Sequence, residues 1–137
     1  MLNQELILSR CREIEDSLAR LEKIKKTAKE EFLKDRDAQD IACYRLIVAI
    51  EAALSMCCHI SAKRLKKVPE EYAECFAILS DAGIIPAILS ENLQKMARFR
   101  NLLVHMYWKI DYGAVYGIVK NNMEDLRAFS GAVASLV

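Results

Sequence analysis

One short segment, residues 98–108, combines side chains that could carry out phosphodiester chemistry without a metal. It contains two arginines, an amide, one of the two histidines, a tyrosine and the only tryptophan of the chain. The arginine guanidinium is a planar, permanently charged donor that suits phosphate oxygens. Histidine is the side chain best suited to proton transfer near neutral pH. Arg100 and His105 are therefore candidate catalytic residues, although such a pair near a helix end is more often a pair of surface charges.

The spacing of these residues limits how a single helix could present them. At about 100° per residue, Arg98, Asn101 and His105 share one face, whereas Arg100 and Tyr107 share another. Arg100 and His105 are roughly 140° apart by the same rule, so one straight helix would not direct both at one phosphate. Either the helix ends or bends close to His105, or a second subunit completes the site. Asn101 lies four residues before His105, where its side chain could orient the imidazole.

Helical periodicity predicts the elements that must position this segment. Apolar residues recur at spacings of three and four over residues 6–28, which predicts a long amphipathic helix. Residues 41–62 are apolar on most faces and are expected to form the central helix. A shorter helix is expected to open at Pro69 and to stop at Gly83, and another to begin at Pro86. A last helix is expected over residues 111–137, with Asp111 as its N-cap.

The remaining stretches indicate one helical domain. The charge-dense residues 30–40 predict either a turn or an exposed continuation into the second helix. No strand pattern, internal repeat or low-complexity segment interrupts the helical periodicity, and four Gly and two Pro leave little turn chemistry for a β fold. We predict an all-α fold, in which residues 1–137 form a single bundle of about five helices with two long antiparallel helices at its centre.

Composition excludes several classes of protein. Twenty basic and nineteen acidic residues give a formal net charge of +1, which excludes a nucleic-acid binder that relies on bulk charge. No uncharged apolar run approaches the roughly 18 residues of a membrane span, so no membrane partner is expected. Residues 1–12 lack the pattern of a signal peptide. The five cysteines lie in helix-like stretches, which argues against a disulfide framework and favours a reducing, cytoplasmic compartment.

Two further clusters each have a structural and a functional interpretation. Cys57, Cys58 and His59 are adjacent but lack a second ligand pair at zinc spacing, so we interpret the cysteines as small core residues and expect no metal. A basic cluster follows the central helix, where its charges complement the negative end of the helix dipole. Contact with an RNA backbone is the functional alternative for that cluster, which comprises Lys63, Arg64, Lys66 and Lys67.

In the segment 98–108 the sequence resembles the HEPN superfamily, and more closely the HepT toxins of HEPN/MNT toxin–antitoxin pairs. The HEPN signature is an arginine, usually followed by a polar residue, and then a histidine after four to six positions. The HepT form, R-x4-H-x-Y, is matched by Arg100, His105 and Tyr107. Ser55 departs from the family, because relatives often carry an acidic residue there. Landmarks in the family's order are Ile50-Glu51-Ala52-Ala53-Leu54, His59-Ile60, Val68-Pro69-Glu70 and Ala82-Gly83-Ile84-Ile85-Pro86.

The resemblance implies a metal-independent endoribonuclease without a cofactor, acting as a helical homodimer whose motif helices meet in a shared cleft. It implies that His105 transfers protons and that Arg100 holds the phosphate, with cleavage leaving a 2′,3′-cyclic phosphate. Arg98, Asn101 and Glu51 are the supporting candidates.

The resemblance also implies a regulatory partner. In type VII-like pairs, an MNT-type nucleotidyltransferase antitoxin transfers AMP to the tyrosine of the motif, here Tyr107. Added phosphates at the cleft would exclude RNA by their bulk and charge. The structural alternative for Tyr107 is an ordinary amphipathic aromatic at the edge of the bundle.

A non-enzymatic alternative remains open at this point. HEPN-like bundles also serve as nucleotide-binding or scaffold subunits of nucleotidyltransferase complexes. The intact pair of Arg100 and His105 favours the nuclease, because a scaffold would not need both.

Overall fold

A computed structural model describes residues 1–137, and every regular element in it is helical. Seven α-helices and one 3₁₀ turn follow one another, which confirms the all-α prediction and raises the helix number from about five to seven. The elements are α1 (Gln4–Lys25), α2 (Lys29–Phe32), α3 (Arg36–Lys63), α4 (Glu74–Asp81), α5 (Ala87–His105), the 3₁₀ turn (Tyr107–Lys109), α6 (Tyr112–Asn121) and α7 (Met123–Ala134).

The long helices α1 and α3 form the predicted antiparallel pair at the centre of the bundle. The Asn3 amide donates to His59 at 2.9 Å, near the start of α1 and the end of α3. Further along the pair, Arg45 in the first half of α3 lies 3.4 Å from Asp16 near the middle of α1. A single core of apolar side chains runs between these helices and the others, and its largest fully buried members include Phe32, Phe76, Phe129, Ile7, Ile14, Leu18, Leu46 and Met56.

Helix α3 is apolar because other helices surround it. By length and composition it contains an 18-residue window apolar enough to cross a membrane, with a mean hydropathy of 1.8. It packs against α1, α4, α5, α6 and α7, and half of that window is buried inside the bundle. Core burial therefore accounts for its hydropathy.

The segment between α3 and α4 differs from the prediction. The sequence predicts a helix from Pro69, whereas α4 begins at Glu74 and residues 69–73 are irregular. Lys66 adopts a left-handed φ of 57°, and the Ser61 hydroxyl donates to the Lys67 carbonyl at 2.7 Å. The left-handed residue and the Ser61 hydrogen bond turn the chain after α3, and the next helix begins only at Glu74. The predicted end of that helix is confirmed, since Gly83 has a φ of +79°, a conformation that favours glycine.

The last predicted helix is divided in two. Asp111 caps α6 as expected, because its carboxylate accepts from the Ala114 amide at 3.1 Å. The helix is interrupted at Asn122, where φ is −121° and ψ is 2°, and α7 begins at the next residue. The Asn122 amide donates to the Asp125 carboxylate at 3.2 Å in the first turn of α7. Polar bonding to a neighbouring side chain favours a helix boundary over a continuous helix.

Candidate functional site

Helix α5 ends at His105, within the stretch where the helical wheel predicts an end, but Arg100 and His105 both lie inside the helix. The next residue, Met106, leaves the helical conformation with a φ of −130° and a ψ of 45°. Its amide still donates to the Leu102 carbonyl at 2.9 Å, and the 3₁₀ turn follows directly. His105 therefore occupies the last turn of α5, where the backbone changes direction.

Arg100 is fixed by a carboxylate from another helix. Its Nε and Nη2 donate to the same Glu51 oxygen, Oε1, at 3.2 and 2.5 Å. The Arg100 side chain is only 19% exposed, whereas that of Glu51 is 49% exposed. The pair joins the middle of α3 to the last turns of α5 and restricts the direction of the guanidinium. An arginine held by two hydrogen bonds is a preorganised donor, because its side chain loses less conformational freedom when an anion binds.

Asn101 contacts the arginine rather than the histidine. Its Oδ1 accepts from Arg100 Nη1 at 2.9 Å, and no hydrogen bond joins it to His105. The expected orientation of the imidazole by this amide is therefore absent from the structure, because the amide oxygen is engaged by the guanidinium. Asn101 and Glu51 together hold Arg100 from two sides.

The residues at and after the histidine are open to solvent. His105 is exposed, and Tyr107 is 71% exposed. The Tyr107 and Trp108 rings meet edge to face, with centroids 5.4 Å apart. The Tyr107 hydroxyl has no hydrogen-bond partner within the chain, so it is accessible to a modifying enzyme.

Ser55 lies on α3 about one turn beyond Glu51 and contacts an arginine of α1. Its hydroxyl accepts from Arg10 Nε of α1 at 3.1 Å. Arg10 is also paired with Glu13 at 3.1 Å, so its charge is balanced by a neighbour on its own helix. The serine thus leaves Glu51 as the only carboxylate that α3 supplies to Arg100.

Tyr72 lines two cavities, one with Arg100 in its wall and the other with Asn101, the partner of Arg100. One of about 420 Å³ is lined by Glu51, Ser55, Cys58, Tyr72 and Arg100, among others. The other, of about 720 Å³, lies between residues 69–73 and the face of α5 that carries Arg98 and Asn101. Arg98 is exposed and forms no ion pair. Tyr72 was not predicted as a site residue, because Pro69 and the glutamates after it are typical of a helix start and placed Tyr72 inside a helix.

The basic cluster after α3 occupies a different part of the surface. All four of its side chains are exposed, as a solvated helix end requires. Three of them, Lys63, Arg64 and Lys66, line a cavity of about 630 Å³ together with both chain termini. No residue of that cavity lines either cavity beside Arg100. The structure therefore does not bring the cluster to the motif, and contact of Lys63, Arg64, Lys66 and Lys67 with RNA stays a prediction.

The cysteine-histidine triplet has partners of its own. Cys58 Sγ lies 3.2 Å from Cys75 Sγ of α4, and all five cysteines are free thiols. The hydrogen bond to Cys75, together with burial, raises the pKa of Cys58, while contact with Cys57 and burial raise the pKa of Cys75 to about 12. Both thiols stay protonated at neutral pH and pack between α3 and α4 instead of serving as nucleophiles. His59 Nε2 accepts the Asn3 amide, and no group of three or more potential ligands gathers around it.

Most of the chain is similar in sequence to known proteins. A family described as "Ribonuclease HepT-like" matches residues 14–133. The mRNA nuclease HepT of Shewanella oneidensis is 26% identical over 125 residues, which cover 91% of this chain and 93% of that protein.

Solved structures agree with that match. The tri-AMPylated HEPN toxin of Shewanella oneidensis, in complex with an MNT antitoxin, superimposes with a TM-score of 0.88 at 25% identity. That match covers 98% of this chain and 99% of the toxin. The cytosolic protein YutE of Bacillus subtilis shares the fold alone, with a TM-score of 0.85 at 18% identity over 98% of this chain and 90% of YutE.

Proposed function

The chain belongs to the HepT-like family, and on that premise we propose that it is an endoribonuclease, the toxin of a type VII-like toxin–antitoxin pair. One observation carries the proposal. Arg100, held by Glu51 and Asn101, lies five residues before an exposed His105 in the last turns of α5. A fixed cation and an accessible imidazole, brought to one phosphate by two chains, are the minimum that metal-independent transfer of a phosphodiester needs.

In the proposed reaction, a ribose 2′-oxygen attacks the adjacent phosphorus while the bond from phosphorus to the 5′-oxygen breaks. His105 accepts the 2′-hydroxyl proton or donates a proton to the leaving 5′-oxygen. The products are a 2′,3′-cyclic phosphate and a free 5′-hydroxyl. Arg100 stabilises the extra negative charge on the phosphate oxygens in the transition state, where a preorganised donor is most effective. The reaction needs no metal and no cofactor.

Glu51, Asn101 and Arg98 act in support of this pair. Glu51 and Asn101 position the guanidinium through the bonds already described. Arg98 adds an unpaired positive charge on the face of α5 shared with Asn101, where it would attract the RNA backbone.

The proposed active form is a homodimer in the cytoplasm. Each chain supplies one Arg100 and one His105, so two histidines in a shared cleft can divide the acid and base roles. The edge of the cleft is the exposed turn with Tyr107 and Trp108.

Regulation is proposed to occur at Tyr107. The related HEPN toxin is tri-AMPylated and forms a complex with an MNT antitoxin. For this chain we expect a cognate nucleotidyltransferase to transfer AMP to the exposed Tyr107 hydroxyl. Each AMP adds a phosphate charge and a bulky nucleoside near His105, and both oppose the entry of RNA.

The decisive experiment compares RNA cleavage by the wild type and by His105→Ala in the presence of EDTA. We expect the wild type to remain active and to generate 2′,3′-cyclic phosphate ends, and the variant to lose cleavage at least about 100-fold, since general acid–base catalysis supplies about that much. His59→Gln is the matched control, because it changes the other histidine and retains a hydrogen-bond acceptor. Equal cleavage by wild type and His105→Ala would overturn the assignment, and a wild type that cleaves no RNA would favour the scaffold subunit.

A further inference from the structure

The cavity of about 720 Å³ beside α5 combines acidic, basic, amide and aromatic side chains in its lining. One wall is the irregular segment with Glu70, Glu71 and the exposed ring of Tyr72, and the other is the α5 face with Arg98 and Asn101. His105 follows Asn101 by four residues on the same face of α5, or about 6 Å along the axis. A nucleotide whose phosphate lies at His105 could therefore place its base in this cavity.

Hydrogen bonding inside the site leaves Asn101 as a donor toward the cavity. Its Oδ1 accepts from Arg100, so the Nδ2 group remains for a ligand. Adenine readout by asparagine uses the amide oxygen and nitrogen together. One lone pair of the Asn101 oxygen is already used by Arg100, whereas both Nδ2 hydrogens are free, so Asn101 suits a base that offers acceptors.

The charged side chains of the cavity divide into acceptors and donors. Neither Glu70 nor Glu71 forms an ion pair, so both carboxylates are available on the segment wall. Arg98 likewise has no acidic partner on the opposite wall. Guanine is the base that matches this division, because its O6 and N7 accept while its ring N–H and amino group donate. The exposed Tyr72 ring offers a face on which an unpaired base can stack.

We propose that this cavity binds a guanine base of single-stranded RNA, in the nucleotide next to the phosphate that is cleaved. Glu70 and Glu71 accept from the guanine N–H groups, Arg98 and Asn101 donate to O6 and N7, and Tyr72 stacks on the ring. The identity of the ligand as RNA rests on the proposed function, whereas the preference for guanine rests on the lining of the cavity.

A cleavage assay tests the preference. Oligoribonucleotides that differ only in the base next to the scissile bond are compared for the wild type and for the double variant Glu70→Gln/Glu71→Gln, which keeps side-chain size. We expect the wild type to favour guanine by about tenfold or more, the discrimination typical of one bidentate base contact, and the variant to lose most of it. The matched control is Glu30→Gln/Glu31→Gln, which removes the same charge from an exposed adjacent pair within α2. An unchanged preference in the cavity variant would overturn the proposal.

A binding assay decides the proposal independently of catalysis. GMP, AMP, CMP and UMP are titrated into the ¹⁵N-labelled full chain, and the side-chain amide of Asn101 is followed by NMR. We expect GMP to shift this resonance and to bind about tenfold more tightly than the other three, with the difference lost in the cavity variant and kept in the control. Equal binding of all four nucleotides would refute the guanine site. Selective GMP binding by a wild type that cleaves no RNA would instead refute the nuclease and retain the site.

Discussion

Arg100 is held by two oxygens that come from different parts of the chain. At the residue scale, the side chains that position the arginine are therefore distinct from those that react. Glu51 contributes a carboxylate from α3, and Asn101 contributes an amide oxygen from the same helix as the arginine. Neither residue transfers a proton in the proposed reaction. Their effect on catalysis depends on how well they restrict the guanidinium.

We expect Glu51→Gln to lower kcat by about 10- to 100-fold, because a hydrogen bond to a charged group contributes about 1.5–3 kcal/mol and each 1.4 kcal/mol is tenfold. KM should change much less, since the phosphate still meets the same charge. Steady-state kinetics on one oligoribonucleotide measure both constants, and Glu51→Asp should restore part of kcat.

The control for this variant is Glu13→Gln, which removes a carboxylate paired with a different arginine, Arg10. A kcat unchanged in Glu51→Gln, or lowered equally in both variants, would contradict the positioning role. The free energy of unfolding should change little in either variant, because both ion pairs are partly exposed.

Tyr107 gives a second prediction at the residue scale. We expect Tyr107→Phe to gain no mass when it is incubated with the partner nucleotidyltransferase and ATP, because the acceptor hydroxyl is missing. Its toxicity should then persist when the partner is co-expressed. Intact-mass spectrometry measures the modification, and Tyr44→Phe, which alters a comparably exposed ring, should still be modified. The same mass gain in Tyr107→Phe as in the wild type would refute Tyr107 as the acceptor.

At the scale of elements, the start of α1 is tied to the end of α3 by a contact that depends on pH. His59 must be neutral to accept the Asn3 amide. Burial, Lys63 and the N-terminal ammonium hold the pKa of His59 below its usual value of about 6.5. The folded state therefore binds the proton less readily than the unfolded state. The stabilising contribution is present above about pH 6.5 and is lost as the pH falls through the lower, folded pKa.

We expect the NMR resonance of the Asn3 amide to move as the pH falls from 7.5 to 5, and the melting temperature to fall over the same range. The His59→Gln variant provides the control, because its amide side chain can accept the bond without titrating. Its melting temperature should depend less on pH than that of the wild type. Identical pH profiles for the two proteins would show that the contact does not couple α1 to α3.

At the scale of the whole molecule, the end of α5 exposes apolar side chains that a single chain leaves in water. Leu102 is 53% exposed and Trp108 is 64% exposed, and Val104 and Met106 lie between them. Grouped exposed apolar residues mark a surface for association. A second copy of the chain at this surface would place two sets of Arg100 and His105 near one another.

We expect the wild type to sediment as a dimer and Leu102→Asp/Trp108→Lys to sediment as a monomer with reduced RNA cleavage. Analytical ultracentrifugation over a range of concentrations measures the association. Ile88→Asp is the matched control, because Ile88 is 71% exposed near the other end of the same helix. If only Ile88→Asp dissociated the dimer, the interface would lie away from the motif.

Local sequence by itself determined the two long helices, several helix ends and the reactive residues of this protein. Periodicity predicts α1 and α3, and Asp111 and Gly83 mark a helix start and a helix end. The spacing of Arg100 and His105 predicts that the helix ends near them or that another chain completes the site. These features depend on hydrogen bonds and side chains within a few residues of one another, so a linear sequence contains them.

Only the tertiary structure decided what holds and surrounds those residues. Glu51 lies 49 positions before Arg100, and Arg10 lies 45 positions before Ser55, so neither contact has a local signal. The irregular residues 69–73 likewise depend on how the chain leaves α3, which exposes Tyr72 instead of including it in a helix. Such contacts form only when helices pack, because burial of the shared core sets which faces of α1, α3 and α5 meet.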